Sequence, residues 1–100
     1  MLNKKFFKTK DECEVTFEFA AEEAASVALV GEFNDWEPIA MKRAKAADSP
    51  FRAKVRLPKE GQFQFRYLVD GESWQNDEAA DAYWKNEHGS DNSVVFTAGN

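Results

Sequence analysis

The feature that most constrains this chain is an alternation of period two. Cys13, Val15, Phe17 and Phe19 alternate with Glu14, Thr16 and Glu18. Phe51, Ala53, Val55 and Leu57 alternate with Arg52, Lys54 and Arg56. Phe63, Phe65, Tyr67 and Val69 alternate with Gln62, Gln64, Arg66 and Leu68. Successive side chains of a strand point to opposite faces, so each run reads as a strand with one buried face and one wet face. Val27 to Phe33 reads as a more buried strand, and Val94-Val95-Phe96 as a short closing strand. Lys4 to Lys8 reads as an edge strand. Pro58-Lys59-Glu60-Gly61 has the chemistry of a hairpin loop, and Asp70-Gly71 that of a tight turn with positive φ at Gly71. Glu22 to Ser26 is a polar, alanine-rich connection. Asn76 to Asp91 shows no strand pattern and is expected to be mostly loop, with room for one helical turn around Asp77 to Tyr83.

One hundred residues make a single domain, 1–100, and nine of the fourteen aromatic residues are Phe, a large apolar load for a small core. Short antiparallel strands at this spacing point to an all-β fold, a β-sandwich of immunoglobulin-like shape, with a small barrel as the rival architecture. The longest unbroken apolar run is Val27 to Val30, so nothing here spans a bilayer as a helix. The first residues, Met1 to Lys8, lack the apolar stretch of a signal peptide. A single Cys13 forms no internal disulfide, which is compatible with the cytoplasm as the expected location. With a net charge of −5 and no basic block longer than Lys4-Lys5, the chain lacks the footprint of a nucleic-acid binder.

Support for catalysis is thin. There is one His and one Cys. Cys13 falls on an apolar strand face and reads as a packing residue, and His88 falls in the long loop. No nucleophile elbow, P-loop, zinc-type Cys/His cluster or calcium-loop spacing is present, so neither a cofactor nor a metal is expected. The tryptophans are more informative. Trp36 follows Gly31-Glu32-Phe33-Asn34-Asp35, where a strand breaks into a polar turn, and Trp74 follows the Asp70-Gly71 turn. Neither belongs to an alternating core face. A pyranose ring has an apolar face of C–H groups and a rim of hydroxyls. An indole stacks on that face, while amide and guanidinium groups take the hydroxyls. Arg66, Asn92, Gln64 and Gln75 are suitable partners for such a rim. The opposing expectation is that both indoles cap the ends of the core.

Three blocks carry a family resemblance. Val27-Ala28-Leu29-Val30-Gly31-Glu32-Phe33-Asn34-Asp35-Trp36 resembles the opening strand and turn of glycogen-binding domains, the carbohydrate-binding modules found in the β-subunit of AMP-activated protein kinase and at the N-terminus of isoamylases and glycogen branching enzymes. Phe63-Gln64-Phe65-Arg66-Tyr67-Leu68-Val69-Asp70-Gly71-Glu72-Ser73-Trp74 resembles their second strand and turn, and Gly89-Ser90-Asp91-Asn92-Ser93-Val94-Val95 their closing strand. The resemblance implies an early-set, immunoglobulin-like antiparallel β-sandwich that binds α-1,4-linked glucan such as glycogen, starch or a maltooligosaccharide. It implies stacking by Trp36 and Trp74, and hydrogen bonds to sugar hydroxyls from Arg66, which stands where the family has Lys. It implies further sugar contacts from Asn92, and from Ser90 in place of a Thr.

Some positions depart from the kinase pattern. His88 stands where the kinase subunit presents a Leu to the glucan. Asn76-Asp77, Ala80-Asp81, Tyr83, Asn86 and Gly89 follow the isoamylase form, which places the chain nearer the bacterial enzymes. Tyr83 is then expected to pack its loop onto the sandwich, and Trp84 is an extra aromatic beside the sugar platform. The relatives' catalytic barrel has no counterpart in these residues, so their activity is not expected here. The expected partner is an α-glucan, with a glycogen-metabolising enzyme as a second. The alternative is a docking β-sandwich of the same family that has lost sugar binding.

Overall fold

Each alternating run is a strand in the computed structural model, which describes residues 2–21, 23–43 and 49–97. The strands are β1 (Leu2–Phe6), β2 (Glu12–Phe19), β3 (Val27–Gly31), β4 (Ile39–Ala40), β5 (Lys42–Arg43), β6 (Phe51–Pro58), β7 (Gln62–Val69), β8 (Ser73–Gln75), β9 (Ala82–Lys85) and β10 (Asp91–Phe96). A short 3-10 turn covers Glu32–Asn34. All pairings are antiparallel. One sheet runs β1-β2-β6-β5 and the other β4-β3-β7-β10-β9, with β8 added on β7. In immunoglobulin lettering these are sheets ABED and C′CFG, with β8 and β9 inserted in the connection between the last two strands. The sandwich expectation therefore holds, and the barrel does not.

The inner faces supply the core. Cys13, Val15 and Phe17 from β2, Phe51 and Leu57 from β6, Val27 and Leu29 from β3, Phe65 and Tyr67 from β7, and Val95 from β10 form one cluster. Phe17 meets Phe65 edge-on at a centroid distance of 5.0 Å and leans on Phe33 at 5.6 Å. Tyr67 packs on Phe19 at 4.6 Å. Burying each such large apolar side chain contributes about 1.5–3 kcal/mol, so the Phe-rich composition is spent between the sheets. Cys13 is fully buried among them.

The two outer faces differ in kind. On the first sheet, Glu14 of β2 lies opposite Arg56 of β6 and Glu18 opposite Arg52, with Lys54 opposite Thr16. Arg56 lies 3.7 Å from Glu12 and 4.0 Å from Glu14, and Arg52 pairs with Glu18. This is a solvated ionic ladder. On the second sheet the outward positions are Ala28 and Val30 on β3, Gln62, Gln64, Arg66 and Leu68 on β7, Trp74 on β8, Ala82 and Trp84 on β9, and Asn92, Val94 and Phe96 on β10. Arg66 is the only formal charge among them. Val30 and Val94 are fully buried yet stand outside the core cluster, because they form the floor of this second, outward layer.

Three local expectations are corrected. β3 ends at Gly31 rather than Phe33, and only glycine fits there, since a Cβ would lie 2.6 Å from the Phe33 ring and 2.9 Å from the Gln64 carbonyl oxygen. The chain turns there, and Phe33 folds back onto the core. The first edge strand lies at Leu2–Phe6 rather than Lys4–Lys8. The segment from Asn76 to Asp91 has no helical turn, and it contains β9. The four β9 residues carry little pattern of their own and owe their conformation to the free edge of β10. The polar connection expected from Glu22 begins at a residue outside the described ones. Asp70 and Gly71 have φ values of 53° and 72°, and the Glu72 N–H donates to the Val69 carbonyl at 3.1 Å, as an Asp-Gly primed turn requires.

The long connection is pinned from within. Tyr67 donates its hydroxyl proton to Asp77 Oδ2 at 2.7 Å, and the Asp77 N–H donates to Ser93 Oγ at 2.8 Å. Burial, reinforced by the Asp77 carboxylate, pushes the Tyr67 phenol far above its ordinary value of 10.0. Burial likewise raises the Cys13 thiol above 9.0. Both groups stay protonated in the folded state at pH values where the unfolded chain ionises, so their stabilising contribution is lost as pH rises beyond those ordinary values. Unfolding in urea is expected to need less denaturant as pH climbs from 9 to 11. Tyr67→Phe is expected to flatten that limb above pH 10. The same change is expected to lower the neutral-pH plateau by about 1–3 kcal/mol, because Asp77 loses a buried donor.

Candidate functional site

The turn after β3 places Trp36 by three hydrogen bonds. The Glu32 carboxylate accepts the Gln64 N–H at 2.7 Å, which replaces the ladder bond that β3 would have supplied. The Asn34 side-chain amide donates to the Glu37 carbonyl. The Trp36 N–H donates to the Gly31 carbonyl at 2.8 Å. Asp35 and Trp36 both adopt positive φ, 60° and 62°, a conformation that costs non-glycine residues about 1 kcal/mol or more each and persists only where the surroundings impose it. Trp36 thus stands out at the end of β3 with 42% of its surface exposed. The expectation that it caps the core does not hold, and the same is true of Trp74 at 49%.

Trp74 pairs with Leu68 on β8, so it shares the outward face with Arg66, two residues earlier on β7. Arg66 pairs with Val30. It is half-buried, and its Nε is sealed from solvent without a hydrogen-bond partner. Asn92 lies one residue before the Ser93–Phe65 pair, which sets it beside Arg66 on the same face. Only 7% of Asn92 is exposed. Its side-chain amide donates to Gln64 Oε1 at 3.0 Å, and its Oδ1 accepts from Asn86 Nδ2 at 3.2 Å. Of the expected site residues, Arg66, Trp74 and Asn92 therefore share one face, and Trp36 stands in the turn at the end of β3. Ser90 is exposed in the loop before β10, off the sheet itself.

Asn86 is the residue whose importance sequence reasoning missed. Its Oδ1 accepts the His88 N–H at 2.9 Å and the Ser90 N–H at 3.2 Å, its backbone N–H donates to the Ser90 carbonyl at 2.7 Å, and its amide orients Asn92. Gly89 closes the same loop at φ 82°. The available signal was an Asn three residues before a Gly, a side chain that bonds its own following backbone. His88 is held at the loop tip with its side chain in solvent. Tyr83 is 45% exposed, and it ties its loop together through its hydroxyl rather than by burying its ring. Its hydroxyl donates to the Asp77 carbonyl and receives the Ala80 N–H at 3.4 Å.

Two cavities, of about 410 and 740 Å³, surround Phe19 and Ala20 and share no lining residue with the aromatic face. Among the described residues, no group of His, Cys, Asp and Glu could hold a metal ion, and no helix is long and apolar enough to cross a membrane.

The family model for the glycogen recognition site of AMP-activated protein kinase matches residues 13–98. The chain belongs to this family. It is also similar to the 1,4-alpha-glucan branching enzyme GlgB of Lactobacillus acidophilus, with 41% identity over 54 residues. That match takes in 54% of this chain and 8% of the length of that enzyme. The glycogen-recognition family supports carbohydrate binding for the chain.

Asn86→Ala is expected to lower stability by about 1–2 kcal/mol and to leave the sandwich folded. In hydrogen exchange, the His88 and Ser90 amides should lose protection, while amides of β2 and β6 keep theirs.

Proposed function

We propose that the chain is a non-catalytic module that binds α-1,4-linked glucan through the outer face of its second sheet. The observation that carries this reading is the pairing of exposed indoles with fixed amides on a face with one formal charge. A neutral, amphipathic ligand suits such a surface, and an acidic or basic one does not. Trp36 and Trp74 supply flat apolar area for the C–H face of glucose units. Arg66 brings a guanidinium whose outer N–H groups are donors for sugar hydroxyls. Asn92 is held at both ends of its amide by Gln64 and Asn86, so it loses little side-chain freedom on meeting a sugar. Ser90 offers a further hydroxyl from the loop. Arg in place of Lys adds a planar fork that can take two neighbouring hydroxyls. Under this reading the chain works in the cytoplasm, bringing a glucan to a glycogen-metabolising enzyme.

Titration with maltoheptaose or β-cyclodextrin, followed by tryptophan fluorescence, tests the reading. The expected affinity is modest, because protein–sugar hydrogen bonds replace bonds to water at small net gain. Trp74→Ala and Trp36→Ala are each expected to weaken binding at least about tenfold, or roughly 1.4 kcal/mol, with the fold retained. A folded sample whose fluorescence is unmoved at millimolar sugar would favour the docking module instead. Trp36→Ala unfolding the domain would return that residue to a structural role.

A further inference from the structure

We infer that Trp84 forms a third stacking position, extending the glucan seat from Trp74 to the β9 edge of the sheet. This rests on the glucan-binding reading above and adds to it a residue and a length of ligand.

Strand register makes the case. Trp74 lies opposite Leu68, and Trp84 lies opposite Asn92. β8 and β10 occupy the same flank of β7, along Tyr67–Val69 and Gln62–Phe65 respectively. The backbone position of Trp84 is therefore displaced from that of Trp74 by about 5 Å sideways and about 7 Å lengthwise on the same face, and its ring leans from there away from Trp74. Its ring lies 6.5 Å from the ring of Phe96, which faces outward opposite Gln62. Reaching there from position 84 takes it across the row of Ala82 and Val94. Ala82 is too small to hide it, and Val94 beneath is fully buried although it faces outward. The path of the indole toward Phe96 runs over Val94, and 37% of Trp84 remains exposed. The part lying over Val94 explains stability, and the exposed part is spare. Beside it lies the Asn92 amide, fixed by Gln64 and Asn86. A glucan resting on Trp74 and Asn92 meets Trp84 if it continues across the sheet, and a short one stops before it.

The three tryptophans allow a direct test. Labelling with 5-fluorotryptophan gives one fluorine resonance each for Trp36, Trp74 and Trp84, assigned with single Trp→Phe variants. Saturating maltoheptaose should move the Trp84 resonance together with that of Trp74, whereas maltotriose should move Trp74 with little effect on Trp84. Trp84→Leu keeps Val94 covered and removes the flat ring. It should raise the maltoheptaose Kd about five- to tenfold, as the loss of one stacked ring implies, and change the maltotriose Kd less than about twofold. A still Trp84 resonance beside a moving Trp74, or an unchanged maltoheptaose Kd in Trp84→Leu, overturns the third position and leaves the glucan reading intact. If no tryptophan moves with either sugar, the glucan reading fails, and the third position fails with it.

Discussion

The parity of β7 is the constraint on which everything else rests. Phe63, Phe65, Tyr67 and Val69 point between the sheets, and Gln62, Gln64, Arg66 and Leu68 point away from them. β7 is also the hub of its sheet, bonded to β3 on one flank and to β10 and β8 on the other. A shift of one residue would push four apolar side chains into water and bring Arg66 and two Gln side chains into the core. Core burial and the composition of the outer face are thus set by the same alternation. The packing that stabilises the fold also assembles the face proposed to bind glucan.

The contrast between the two outer faces follows from what each sheet had left to display. The first sheet shows rows of Glu against Arg and Lys, satisfied by one another and by water. The second shows amides, indoles and two buried valines, with a single guanidinium. Its amides Gln64 and Asn92 are held by neighbours rather than by solvent. Gln64 is fixed through its N–H by Glu32 and through its side chain by Asn92. Such a surface gains little from ionic partners and offers both flat apolar area and directed hydrogen-bond groups. That combination suits the carbohydrate binding that membership of the glycogen-recognition family supports.

Much of this was legible in the residues. The three alternating runs marked β2, β6 and β7 to within a residue, because one buried face demands strict period two. The Gly31-to-Trp36 motif was visible as a turn, although its mechanism was not. Gly31 leaves room for the Phe33 ring, and Glu32 replaces a lost ladder bond. What stayed hidden depends on partners distant in sequence. β9 has four residues and exists because β10 leaves an edge open. β4 and β5 have two residues each, too few to show a period. Val30 and Val94 read as core positions, yet they are buried under an outward layer that no local pattern announces. Asp77 and Asn86 were visible as positions of the isoamylase-type pattern, but the hydrogen bonds each makes, to Tyr67 and Ser93 and to Asn92 and the His88 loop, were not.

The central claim is that one sheet face, and not the rest of the molecule, receives the sugar. Backbone and side-chain amide shifts of the isotope-labelled chain, recorded during a maltoheptaose titration, test it most directly. Changes should concentrate at Trp36, Gln64, Arg66, Trp74 and Asn92, with the ionic ladder of Glu12, Glu14, Arg52 and Arg56 unmoved. Shifts centred on that ladder or on the cavities around Phe19, or a spectrum that saturating sugar leaves unaltered, would contradict it.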